Sequence, residues 1–187
     1  MLRLFADLFG AGRSPADDLI KWLADKSLDD RRIVAGLLFG GPESDRVYAW
    51  VTSRPDCDRG TASMVFWNML NPEYCILARA EGRQPESVCG YSTMMAIMDR
   101  WRRDEFQPAV FEWKTSEHVR LYKRLMKKHC NGTDPLCMPE SLMAPVRGRQ
   151  AIASPAVAHR DDTELTRLLD ALRSTHQGFH TKFWDLT

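Results

Sequence analysis

Residues 55–67 read PDCDRGTASMVFW, and this stretch predicts the centre of the fold. Asp58 is a typical N-cap, because its carboxylate can accept a hydrogen bond from the backbone N–H of Gly60 or Thr61. The side chains that follow, in residues 64–70, are apolar nearly all round the predicted helix. A helix without a polar face belongs in the interior, so the stretch indicates a buried central helix that begins after Asp58.

Cys57 has two interpretations. As the residue before the cap it pairs with Ala62, the fourth helical position, in a hydrophobic staple. Alternatively, a thiol at a helix N-terminus can have a lowered pKa and act as a nucleophile. Asp56 and Asp58 flank the thiol and oppose thiolate formation, which favours the structural role.

Capping residues, prolines and apolar spacing predict further helices along the chain. These begin near Ser14, Asp29, Pro42, Pro72, Ser87, Thr115 and Asp161. Alternating apolar and polar residues bounded by hairpin turns are absent, so the sequence predicts no strand. The expected fold class is all-α, a compact multi-helix bundle or a helical-repeat-like array.

The predicted organisation has three parts. Residues 1–130 form a helical domain that contains the motif, and residues 161–187 form a C-terminal helical segment that packs on the same domain. Between them, residues 131–160 contain four prolines and only weak periodicity. A connection of this length is several times longer than usual, so we expect a functional or mobile loop.

Composition excludes several classes of protein. The 187 residues include 26 Lys and Arg against 25 Asp and Glu, and a net charge of +1 indicates neither a nucleic-acid nor a membrane partner. No apolar run approaches the roughly 18 residues of a membrane span, and the first residues lack a signal-peptide pattern. The five cysteines are an odd number, and a reducing, cytoplasmic location is expected.

The helix predicted after Thr115 is amphipathic. Its basic residues recur at helical spacing along one arc of about 140°. They are Arg120, Lys123, Arg124, Lys127 and Lys128. The opposite arc, predicted to face the core, carries Leu121, Tyr122, Leu125 and Met126. Such a stripe is a solvated surface, a site for an acidic protein surface or a site for nucleic acid, and the last is the least favoured because no recognised nucleic-acid motif accompanies it. Leu136, Met138 and Met143 of the predicted loop are expected to supply apolar contacts with a partner.

No metal or cofactor site is predicted. His129, Cys130 and Cys137 lie near one another in sequence, but they lack the close cysteine pair and the fourth ligand typical of zinc sites. His176 and His180 are four residues apart without the pattern of a zinc protease. Signatures of phosphate loops, nucleophile elbows and dinucleotide-binding folds are absent.

The motif also carries a resemblance. Cys57-Asp58-x-Gly60-Thr61-Ala62-x-x-x-Phe66-Trp67, after a Pro-Asp turn, resembles the signature of a bacterial domain of unknown function, family number 4274. The similarity extends over residues 28–74, although the Trp-Asp-Asp-Gly segment usual upstream in that family is missing here. The resemblance implies a small helical bacterial protein and no reaction. Such proteins often serve as antidotes to secreted toxins.

The leading hypothesis is therefore a non-enzymatic, cytoplasmic bacterial immunity protein that acts in competition between bacteria. It would bind a cognate protein toxin and occlude its active site, with no cofactor, nucleic acid or membrane involved. One alternative is an enzyme or a secreted toxin that uses Cys57 or a histidine, namely His118, His129, His176 or His180. A housekeeping module for protein interaction is the other alternative.

Overall fold

The computed structural model describes residues 14–38, 40–70, 75–78, 81, 90–158 and 163–183. Within these ranges it describes the side chains of all residues except 163 and 176–183. The helices are α1 (Pro15–Leu23), α2 (Leu28–Leu37), α3 (Pro42–Ser53), α4 (Arg59–Met69), α5 (Tyr91–Arg102), α6 (Ser116–His129), α7 (Glu140–Met143), α8 (Pro155–Ala158) and α9 (Thr163–Phe183). Residues 75–78 are helical as well.

The all-α prediction is confirmed. Over the described ranges the backbone forms three isolated β-bridges and no strand. The bridges join Asp58 to Gln107, Phe111 to Arg149, and Trp113 to Val146. They connect the segment between α5 and α6 with the start of α4 and with the segment that follows α7.

Two helices begin where local signals predict them. Ser14 caps α1 by accepting from the backbone N–H of Asp17 at 3.3 Å, and the Asp17 carboxylate accepts from the Ser14 N–H in return. Helix α3 begins at Pro42 and ends at Ser53, two residues before Pro55. Proline at the first helical position and proline beyond the last turn therefore bound this helix.

The start of α2 differs from the prediction. Its N-cap is Ser27, which accepts from the Asp30 N–H at 3.1 Å. The carboxylate of Asp30 instead accepts from the N–H of Ser154 at 2.9 Å, and that of Asp29 accepts from the N–H of Ile152 at 2.6 Å. The two acids thus connect α2 with a distant part of the chain.

Helix α4 lies at the centre of the core, as predicted. Residues 60–67 are all buried, and the helix packs against α2, α3 and α5. Trp67 is fully buried and donates its indole N–H to the carbonyl of Leu142 in α7 at 3.1 Å. Farther from this centre, α1 packs against α3 and α9.

The segment predicted as a long loop is more structured than expected. It contains α7 and α8, and two of the β-bridges attach it to residues 111–113. Two of its prolines mark helix starts, since Pro139 is the N-cap of α7 and Pro155 is the first residue of α8. Helix α8 packs against α2, which joins this part of the chain to the N-terminal helices.

Other predicted boundaries have mixed outcomes. Helix α6 agrees with the prediction, but Thr115 makes no capping bond and donates its hydroxyl to the carbonyl of Met143 at 2.8 Å. The starts predicted near Pro72, Ser87 and Asp161 lie outside the described residues. In the described part of the chain, no helix combines the length and apolar character needed to cross a bilayer.

Candidate functional site

The carboxylate of Asp58 is the centre of the motif. Oδ1 accepts from the N–H of Thr61 at 3.0 Å, and Oδ2 accepts from the N–H of Gly60 at 3.0 Å, so the predicted N-cap is confirmed. Oδ2 also accepts from the N–H groups of Val110 and Phe111, at 2.9 Å and 3.0 Å. One buried carboxylate therefore satisfies the start of α4 and a distant extended segment together.

Gly60 is required by the closeness of that segment. A Cβ atom on Gly60 would lie 1.9 Å from the carbonyl oxygen of Phe111 and 2.8 Å from its carbonyl carbon. Gly148 is also packed too closely against Phe111 to carry a side chain, because its Cβ would lie 2.5 Å from the Phe111 carbonyl carbon. The backbone of Phe111 thus passes between two glycines, and the glycine of the motif serves packing.

Arg32 of α2 also links the start of α4 with the segment that contains Phe111. Its guanidinium donates to the carbonyl of Gly60 at 3.1 Å and to the carbonyl of Glu112 at 2.8 Å. The guanidinium carbon lies 5.6 Å from the ring centroids of both Phe111 and Trp113. Burial lowers the pKa of Arg32 from its usual value, while the charge of nearby Asp58 favours the cation.

Cys57 is placed as a structural residue. Only 4% of it is exposed, and its thiol contacts the carbonyl of Asp58 at 3.7 Å. Burial raises the pKa of the Cys57 thiol to about 12, and the negative charge of Asp58 adds to the shift. A buried, protonated thiol is inert as a nucleophile, so the geometry favours the staple interpretation.

The remaining motif residues belong to the core. Thr61 is buried beside the cap, and Phe66 and Trp67 are fully buried with their rings edge to face at 5.4 Å between centroids. Edge-to-face packing of this kind adds stability beyond the area that the two rings bury. The motif therefore builds the interior of the protein rather than a surface.

The basic residues of α6 form one exposed surface, which we call the basic face. It consists of Arg120, Lys123, Arg124, Lys127 and Lys128, and all five are exposed. The helix spans 14 residues, and the opposite side buries Tyr122, Leu125 and Met126. At 1.5 Å per residue, the basic face extends over about 12 Å.

The cations of the basic face have no carboxylate partner among the described residues. Nine arginines elsewhere are ion-paired: Arg31, Arg46, Arg54, Arg59, Arg100, Arg102, Arg103, Arg149 and Arg173. Within the described ranges, most arginines outside the basic face are therefore ion-paired, whereas this row of positive charge is left open.

Two of the three apolar residues that were expected to contact a partner from the predicted loop are buried within the protein. Leu136 and Met138 are 5% and 6% exposed and belong to the protein's own core, so their assignment as exposed anchors is wrong. The reason is Asp134, whose carboxylate accepts from the N–H of Leu136 at 2.9 Å and from that of Met138 at 2.8 Å. This turn folds both side chains inward. Met143 is partly buried and also packs against the core.

A cleft opens at the N-terminal end of the basic face. It has a volume of about 560 Å³. Its lining includes Arg32, Glu112, Trp113, Lys114, Ser116, Glu117 and His118. Ser116 and Glu117 precede Arg120 by four and three residues, so the cleft and the basic face share one side of α6. Two cations and two carboxylates line the cleft, which therefore favours neither sign of charge.

Comparisons with protein-family models, curated proteins and solved structures found no match to this chain.

Two of the other candidate ligands and reactive groups belong to the same helix, because His118 lines the cleft and His129 is the last residue of α6. Cys130 and Cys137 are both free thiols, the second exposed. The ring of His118 contacts both Trp67 and Trp113 in tilted arrangements, with centroid distances of 5.8 Å and 6.0 Å. Over the described ranges, no three His, Cys, Asp or Glu side chains form a group suited to a metal ion. The side chains of His176 and His180 lie outside the described residues.

Two residues of this region were missed or misplaced by sequence reasoning. Arg32 follows the Asp29-Asp30 pair without any motif, and its role depends on contacts 28 and 80 residues away. Leu121 was assigned to the buried arc, but it is 40% exposed. Its angular position at the border of that arc was the available signal, because residues at such a border are only partly covered.

Proposed function

We propose that this chain is a non-enzymatic binding protein whose basic face docks on an acidic protein surface. The observation that carries the proposal is the row of five exposed cations that have no carboxylate partner among the described residues, where most of the other described arginines are ion-paired. Unpaired like charges on one helix face repel one another, and an acidic partner would relieve that repulsion.

The proposed partner is a cognate toxin, which makes this chain a cytoplasmic bacterial immunity protein. The resemblance of residues 57–67 to family 4274 supports this choice. Complementary charge would raise the association rate and fix the orientation of the complex. With the basic face seated on acidic groups around the toxin's active site, the body of the protein would block access of substrate.

A binding role also agrees with the state of the strongest nucleophile candidate. Cys57 is buried, and burial raises its pKa to about 12, so its thiol stays protonated at neutral pH. Binding by contact requires no reactive group, only a stable surface of defined charge. The motif contributes to this by supporting the core on which α6 rests.

The decisive experiment reverses charge on the basic face. Lys123→Glu, Arg124→Glu and Lys127→Glu are combined in one variant and produced in cells together with the protein encoded by the adjacent reading frame. We expect the wild-type chain to protect the cells and the variant to protect poorly. Measured with purified proteins, the affinity should fall at least tenfold and lose most of its salt dependence.

A matched variant controls for net charge. Lys21→Glu, Arg147→Glu and Arg167→Glu remove the same number of exposed cations from other parts of the molecule, and these three also have no carboxylate partner in the described part of the chain. This control should protect cells as well as the wild type does. If both triple variants behave alike, or if the basic-face variant binds normally at low and high salt, the proposal is refuted. Binding of the wild-type chain to DNA but not to the adjacent protein, lost in the basic-face variant, would favour a nucleic-acid partner instead.

A further inference from the structure

Leu121 is an exposed apolar side chain at the border of the basic face. It is 40% exposed, whereas Tyr122, Leu125 and Met126 on the same helix are buried. On a helix surface, residues three and four apart are neighbours, so Leu121 lies beside Arg124. Lys128 follows one turn beyond Arg124, so both cations lie on the C-terminal side of the leucine along the helix.

The other exposed large hydrophobic residues of the described chain belong to other elements than α6. Leu37 is on α2, and Val110 and Ile152 are in connecting segments. A single exposed leucine is ordinary on a protein surface. What distinguishes Leu121 is its place next to a row of cations that has no partner within the described part of the protein.

We propose that Leu121 is the apolar anchor of the docking surface and that the partner surface carries an apolar depression bordered by carboxylates. This inference rests on the proposed function, because it names the chemistry of the same partner. Charges at the rim of an interface mainly steer and orient, whereas a buried apolar side chain at its centre lengthens the life of the complex. Leu121 takes the role that sequence reasoning gave to Leu136 and Met138.

The test uses two designed helical peptides that carry equal numbers of Glu along one face. In the first peptide leucines form a stripe beside the glutamates, and in the second serines replace those leucines. We expect the wild-type chain to bind the leucine peptide about tenfold more tightly, given the apolar area that Leu121 exposes. This ratio should persist at high salt, because salt screens the charges and leaves the apolar contact.

Variants then locate the contact. Leu121→Ser should reduce the ratio to about one while binding to both peptides remains salt-dependent. Ile152→Ser is the matched control, since Ile152 is 73% exposed and lies off α6, and it should keep the wild-type ratio. Far-ultraviolet circular dichroism checks that each variant keeps the total helix content of the wild type.

The outcomes separate the two proposals. An unchanged ratio in Leu121→Ser overturns the anchor but leaves the basic face intact. Unchanged binding of either peptide in the Lys123→Glu, Arg124→Glu and Lys127→Glu variant overturns the proposed function itself. If the wild-type chain binds neither peptide at low salt, both proposals fail.

Discussion

Phe111 donates its backbone N–H to the carboxylate of Asp58 across 53 residues of sequence, at a distance of 3.0 Å. The same carboxylate oxygen accepts from Gly60 at the start of α4. A residue that caps one helix thus also holds the chain segment leading to α6. The motif around Asp58 thereby connects the interior of the protein with the helix that presents the basic face.

Replacement of Asp58 tests this connection. Asp58→Ala removes the acceptor of four N–H groups and should lower the free energy of unfolding by about 3–5 kcal/mol, because buried donors are left unpaired. Asp58→Asn should cost about half as much, since one amide oxygen can still serve the three donors that share Oδ2. Urea denaturation measures both values.

The control for Asp58 is Ser27, an N-cap whose side-chain hydrogen bonds stay within the first turn of its own helix, because its hydroxyl also donates to the Asp30 carboxylate at 2.9 Å. Ser27 accepts only one helix N–H, that of Asp30 at 3.1 Å, and it is exposed. Ser27→Ala should therefore cost about 1 kcal/mol. Equal losses for Ser27→Ala and Asp58→Ala would show that the contacts of Asp58 with Val110 and Phe111 contribute nothing.

Substitution of alanine for glycine should have opposite effects on stability at two helical positions. Gly60→Ala should destabilise the protein by about 2–3 kcal/mol, because its Cβ would overlap the Phe111 carbonyl. Gly36→Ala in α2 should stabilise it by about 0.5–1 kcal/mol, since its Cβ would meet only the Met64 sulfur, at 3.6 Å. Thermal and urea unfolding distinguish the signs, and a stabilising Gly60→Ala would contradict the close approach.

Arg32→Lys should be strongly destabilising. The planar guanidinium donates to the carbonyls of Gly60 and Glu112 at the same time and lies near two aromatic rings. A lysine ammonium lacks the two diverging N–H groups that this geometry requires. We expect a loss of about 2–3 kcal/mol in the free energy of unfolding. Arg103→Lys is the control, because Arg103 is 62% exposed and pairs only with Glu105, and its effect should stay within about 0.5 kcal/mol. Similar losses at the two positions would refute the bridging role.

The reactivity of Cys57 gives a prediction about chemistry. At pH 8, iodoacetamide should modify the exposed Cys137 readily and leave Cys57 unmodified until the protein unfolds. Peptide mapping by mass spectrometry after timed labelling separates the two sites. Rapid labelling of Cys57 in the folded protein would revive a nucleophilic role.

The raised pKa of Cys57 also predicts how stability depends on pH. The unfolded thiol has a pKa near 9.0 and the folded thiol one of about 12, so the folded state retains the proton over that interval. Stability is therefore complete below about pH 9 and decreases as the pH rises towards 12. Tyr48, also raised to about 12, contributes to this slope. Cys57→Ala should make the fall in unfolding free energy shallower by up to about 1.4 kcal/mol per pH unit.

Local signals in the sequence predicted much of the fold. Ser14 with Asp17, Pro42 and Asp58 each mark a helix start through contacts within a few residues, and all three are confirmed. The apolar run after Asp58 also identified the buried central helix. Periodicity and capping chemistry suffice for such elements because their causes are local in sequence.

The rest depends on contacts that no local pattern contains. Thr115 looks like an N-cap in sequence, but its hydroxyl is used by the Met143 carbonyl 28 residues away. Leu136 and Met138 look like loop residues, yet the Asp134 turn directs them into the core. A polar side chain can form hydrogen bonds with several different partners, and the tertiary structure determines which partner lies within bonding distance. The basic face was predictable, whereas the exposure of Leu121 required the packed helix.

The bonds of Asp29 and Asp30 have a consequence for synthesis on the ribosome. Their carboxylates receive the N–H groups of Ile152 and Ser154, and Arg149 donates to Asp29 across 120 residues. A nascent chain that has exposed only its first half holds a helix whose acidic end still awaits its donors. We expect productive compaction of that half to wait for the later residues, and until then its apolar surface is the portion most in need of a chaperone.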